Sequence, residues 1–141
     1  MKYLFSQLTV KKREFLTAIA VLGFLAPIVM AAPATQAIKG RTGGNVDSKN
    51  CGFVAPKPSY TMSLSQRMDY MRMFVDAQGG QPTLLIVGPK TNDRFCVLGD
   101  SGTGLKPEIS GVWEPGNYSV YVGDRYGEQH PFTLQIITSK N

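Results

Sequence analysis

From Tyr60 to Ile137 apolar residues recur at every second position, and Gly, Pro, Asn or Asp breaks the pattern roughly every eight to twelve residues. The buried stripe of a helix repeats about every 3.6 residues, so this spacing argues against a helical domain and for short strands with one face on a core. Tyr60, Met62 and Leu64 share one face of a first strand. In the next, Met71, Met73 and Val75 alternate with Tyr70, Arg72 and Phe74. Thr83–Val87 is continuously apolar, ends at Gly88-Pro89, and reads as a strand buried on both faces. Arg94–Leu98, Ile109–Trp113, the Tyr118-Val120-Val122 alternation and the Phe132-Leu134-Ile136 alternation supply the rest. The expected fold is all-β: an antiparallel two-sheet β-sandwich, jelly-roll-like or immunoglobulin-like, of about seven to eight strands over residues 51–141.

Trp113-Glu114-Pro115-Gly116-Asn117-Tyr118 is the most specific string structurally. A large apolar residue, Pro-Gly and then Tyr suit a tyrosine corner, in which the phenol bonds an upstream backbone carbonyl and pins a strand that crosses between sheets.

The N-terminus is of another kind. A basic stretch over residues 1–15 precedes an uncharged apolar run, Leu16–Ala32, and then a small-residue zone, in the order of a secretory signal. Residues 1–37 are therefore expected to be a signal peptide, cut after Ala31, Ala34 or Ala37, with no membrane span afterwards. Of the net charge of +5, three units lie in those 37 residues, so the remainder is close to neutral and gives no support to nucleic-acid binding. Residues 38–50, polar and glycine-bearing without periodicity, read as a flexible linker. Export to a secreted or periplasmic location favours pairing the only two cysteines, Cys51 and Cys96, as a disulfide.

The run Pro115-Gly116-Asn117-Tyr118-Ser119-Val120-Tyr121-Val122-Gly123 resembles the Pro-Gly-x-Tyr-x-Val-Trp-Val-Gly run of the bacterial pre-peptidase C-terminal domain. The apolar strand ending at Gly88-Pro89, then Cys96 followed by Asp100, and Pro107 before Ile109 extend the resemblance over Tyr60–Ile137. It implies a small extracellular β-sandwich associated with secretion, localisation or substrate attachment rather than catalysis. The acidic pair that usually follows the cysteine in that family is missing, since Val97-Leu98-Gly99 separate Cys96 from Asp100.

Chemistry-bearing strings are few. Gly99-Asp100-Ser101-Gly102 copies the nucleophile string of trypsin-like proteases, but the only histidine, His130, follows Ser101, against the His, Asp, Ser order of that mechanism. Asp100-Ser101-Gly102-Thr103 resembles an aspartic-protease loop, although too few residues follow it to complete a lobe. No cofactor is expected; calcium is the one alternative, for which loop acids, Asp100 and Asp124 foremost, are the candidate positions, without forming a spaced calcium-loop motif, and solvated loop acids are the other reading. Trp113, Tyr121, Arg125 and Tyr126 are the candidate binding residues, an aromatic and basic set suited to stacking on a sugar or docking a protein. The expected function is that of a non-catalytic secreted or periplasmic binding or accessory module for an extracytoplasmic protein or polysaccharide. The alternatives are a lumenal or periplasmic structural subunit of a membrane complex, and a small aspartic-type hydrolase using Asp100.

Overall fold

A computed structural model of the chain describes residues 34–140. The expected signal peptide therefore lies outside the described residues as far as position 33. Ten strands form among the described residues: β1 (Thr35–Arg41), β2 (Val46–Asp47), β3 (Phe53–Val54), β4 (Tyr60–Leu64), β5 (Met68–Ala77), β6 (Pro82–Val87), β7 (Arg94–Leu98), β8 (Glu108–Trp113), β9 (Gly116–Asp124) and β10 (Pro131–Ile137). Sheet A has the order β1-β10-β5-β8; sheet B has the order β2-β3-β9-β6-β7, with β4 also paired to β9. Every pairing is antiparallel. This is the expected two-sheet sandwich.

The strand count is higher than the expected seven to eight, and the surplus strands lie ahead of Tyr60: β1 spans the end of the expected signal peptide and the start of the expected linker, β2 lies in that linker, and β3 lies in the domain where no strand was expected. β1 pairs along its whole length with β10, from Thr35↔Ile137 to Arg41↔Pro131, and β2 and β3 form a short ladder against β9. Edge strands of this kind are held by backbone hydrogen bonds. Ile38 is the one residue of β1 that packs on the core, so no apolar alternation announces the strand.

The core is assembled from the alternating residues. Met71, Met73 and Val75 of β5 and Phe132, Leu134 and Ile136 of β10 meet Leu84 and Ile86 of β6 and Tyr118, Val120 and Val122 of β9. Burying a side chain of this size contributes about 1.5–3 kcal/mol. The tyrosine corner is present: the Tyr118 hydroxyl donates to the Glu114 carbonyl at 2.8 Å. Trp113 sits edge-on to Tyr118, with ring centroids 5.2 Å apart, and its indole N–H donates to the Met71 carbonyl at 3.1 Å. Burial pushes the Tyr118 phenol above its ordinary pKa.

β6 is buried on both faces because something covers the outer face of sheet B. The chain from Ser48 to Gly52 crosses that face as a strap, and the Cys51–Cys96 disulfide pins it to β7 with a Cα–Cα distance of 5.6 Å. The Thr83 hydroxyl donates to the Cys51 carbonyl at 2.8 Å, and the Arg94 guanidinium donates to the Ser48 carbonyl at 3.0 Å. Cys51, Val54 and Leu85 form a second small core beneath the strap. Gly52 turns with φ +69°, and a Cβ there would come within 2.5 Å of the Asp124 carbonyl oxygen, so the crossing requires glycine.

Candidate functional site

Next to the strap, on the outer face of sheet B, is a cleft of about 800 Å³. Leu85 and Val87 of β6 and Tyr121 of β9 line it from the sheet, and Asp47, Lys49, Asn50 and Arg94 line it with polar groups. Tyr121 is half-buried and packs on the Cys51–Val54–Leu85 cluster, whereas Asp47, Lys49, Asn50 and Arg94 are exposed. An aromatic ring on an apolar floor, beside a wall of both charges and an amide, suits a ligand that has one apolar face and a hydroxyl-rich edge.

The expected binding residues do not form one patch. Trp113 belongs to sheet A, where it is buried at 6% exposure and packs in the core. Taking its large apolar ring out of water lowers the free energy of the fold, and in that position the ring packs in the core rather than offering a face for stacking. Tyr121 does reach a cleft. Arg125 and Tyr126 follow β9 in the loop to β10, and Tyr126 is 67% exposed. Neither lines the cleft.

Asp124, a candidate calcium position in the sequence, is fully buried. One carboxylate oxygen accepts the Gln81 N–H at 2.7 Å, and the other accepts those of Tyr126 at 2.8 Å and Glu128 at 3.1 Å. Its lone pairs organise the turn after β9. Asp100 is exposed in the turn after β7, and its carbonyl accepts the Leu105 N–H at 2.7 Å. No group of three or more His, Cys, Asp or Glu residues able to hold a metal occurs among the described residues.

The protease-like string folds into a closed turn. The Gly99 N–H donates to the Pro82 carbonyl, and Ser101–Thr103 is a single 3₁₀ turn. His130 is engaged elsewhere: its Nε2 is 3.0 Å from a Glu128 carboxylate oxygen, and its ring packs on Gly80, where a Cβ would come within 2.6 Å of it. The histidine thus orders the β9–β10 connection with Glu128.

Sequence reasoning missed Asp47, Lys49, Asn50 and Arg94. The first three stand in the stretch read as linker, next to Cys51. A disulfide expected at Cys51 was the available signal, since a bridged residue fixes its neighbours where the bridge lands.

No family model matches the chain. Over 137 aligned positions it is 36% identical to an uncharacterized protein of Synechococcus elongatus, with 88% of this chain and 97% of that protein covered. The chain belongs to the same family as that protein.

Proposed function

We propose that this chain is a non-catalytic exported binding module that holds an extracytoplasmic polysaccharide in the cleft beside the strap. The observation that carries the reading is the lining of that cleft: the Tyr121 ring and Val87, both partly exposed, stand with Asp47, Lys49, Asn50 and Arg94 around about 800 Å³. A pyranose ring stacks its C–H face on such a ring and presents its hydroxyls to such polar groups. The likeness of Pro115–Gly123 to the pre-peptidase C-terminal domain supports attachment over catalysis. The basic and apolar N-terminal order and the disulfide support export. Among the described residues no helix is long and apolar enough to cross a membrane. Within the proposed signal, a cut after Ala37 would strip Thr35–Ala37 from the β1–β10 ladder, which favours cleavage ahead of Thr35.

The test is co-sedimentation of the purified mature protein with cell-envelope polysaccharide, beside the double variant Lys49→Ala/Asn50→Ala. Both residues are exposed, so the variant should keep its melting temperature while losing at least about tenfold in affinity. Failure of the wild-type protein to sediment with any envelope polysaccharide overturns the reading, and capture of a protein in its place assigns the cleft to a different ligand class.

A further inference from the structure

On the side of the sandwich where β7 and β8 end the two sheets, the described residues leave the mouth between them open. Phe95 of β7 pairs with Ile86, whose side chain is fully buried in the core, so Phe95 faces the same inter-sheet side. It is nevertheless 48% exposed. A groove of about 260 Å³ runs beside it, lined also by Pro89, Ile109, Val112, Trp113 and Tyr118.

Among the described residues no strand pairs with the outer edge of β8, and that edge borders the groove. The Val75 N–H donates to the Pro107 carbonyl, and the register continues through Met73↔Ile109 and Met71↔Gly111. In an antiparallel ladder this directs the backbone groups of Pro107, Ile109 and Gly111 toward β5 and those of Glu108, Ser110 and Val112 away from the sheet. One further strand beside β8 would satisfy those groups and lie over Phe95.

Charge selects what that strand is. Lys106, Glu108, Ser110, Val112 and Glu114 alternate along the outer face of β8 and its flanks. If a second copy pairs antiparallel with Ser110 opposite Ser110, then Glu108 faces Val112, and Lys106 faces Glu114 at both ends. Centring on Gly111 instead sets Glu108 against Glu114, and centring on Ile109 leaves both end charges without an opposite partner. The present partners, Asp76 for Lys106 and Arg67 for Glu114, form solvent-exposed pairs at 3.2 and 3.3 Å, of the weak kind that can be shared or exchanged.

We propose that the protein is a two-fold homodimer in which β8 pairs with β8 of a second copy, centred on Ser110, so that the two four-stranded sheets become one and the mouth closes over Phe95. The interface is separate from the strap cleft and independent of its ligand.

Sedimentation equilibrium of the exported, purified mature protein tests this. A dimer with a dissociation constant of about 10 μM or tighter is expected. Ser110→Pro removes an N–H that points away from β5, so it should leave the fold intact and weaken association at least about tenfold. Lys106→Glu should weaken it likewise by setting like charges opposite each other, and Lys106→Glu/Glu114→Lys should restore the dimer, because the exchange is neutral only when the partner strand is the same chain. A monomer at all concentrations overturns the proposal, as does a monomer that captures another protein's extended segment at β8. A dimer undisturbed by Ser110→Pro and Lys106→Glu, or one that the double exchange does not restore, also overturns it.

Discussion

Leu85 and Phe95 stand on neighbouring strands of the same sheet, yet Leu85 is 2% exposed and Phe95 is 48% exposed. The difference lies in what the chain places over each. Leu85 faces outward and is covered by the strap, five residues held in position by a disulfide and by hydrogen bonds from Thr83 and Arg94. Phe95 faces inward, where a sandwich ordinarily provides its own cover, but sheet A ends at β8 before reaching it. A short covalent crossing is enough to seal a sheet's outer face. Covering an inner face at the rim takes another strand, and among the described residues there is none for that place.

The comparison can be broken first at the disulfide. Replacing Cys51 and Cys96 by Ser releases a loop whose ends are 45 positions apart, and the chain-entropy argument puts the loss at about 4 kcal/mol. Urea unfolding of the variant should show it, and an unchanged midpoint would mean that the hydrogen bonds alone hold the strap. Next comes the pair of truncations Leu85→Ala and Phe95→Ala. The first empties a sealed site and should cost about 2–4 kcal/mol, while the second, measured in the monomeric Lys106→Glu background, should cost less than about 1 kcal/mol. Equal losses would show that the mouth is as well packed as the strapped face.

At the rim of the mouth, Tyr118→Phe removes one partly buried hydrogen bond and should cost about 1 kcal/mol. The Tyr118 phenol is held above its ordinary pKa by burial, so its contribution is complete below the pKa of the unfolded chain and is lost as pH rises through the folded value. The variant should therefore lose stability less steeply in alkali. The smallest effect belongs to the outer face of sheet A. There Arg72 makes two 2.7 Å hydrogen bonds to Glu108 and holds that carboxyl below its ordinary pKa. The stability it adds is present above the carboxyl's unfolded pKa and is lost as pH falls through the folded one. Both side chains are over a third exposed, so solvent screening limits the effect to a few tenths of a kcal/mol. Arg72→Met should flatten the acid limb of a melting-temperature curve by that amount; a larger change would mark the pair as part of a buried network.

The strands from Tyr60 onward were legible because each contributes a row of core residues, and period-two alternation is the direct imprint of one-sided burial. The tyrosine corner was legible because its hydrogen bond spans only four positions, Tyr118 to Glu114. β1 was not, since a strand held mainly by its backbone leaves little trace in its side chains. Trp113 and Asp124 were ambiguous for a different reason: a tryptophan or a loop aspartate is compatible with surface and interior alike, and which one applies depends on what distant elements bring near it.

The sequence by itself therefore determined the class of fold, the face of each core strand and the pairing of its two cysteines, all of which follow from local periodicity or from elimination. Only the tertiary structure decided that residues 35–41 close sheet A, that Asp124 collects backbone N–H groups from both sides of a turn, and that a cleft lies beside the strap while the described residues leave the β7–β8 mouth open. These depend on backbone pairing and on contacts between residues far apart in the chain, which obey geometry that no local pattern encodes.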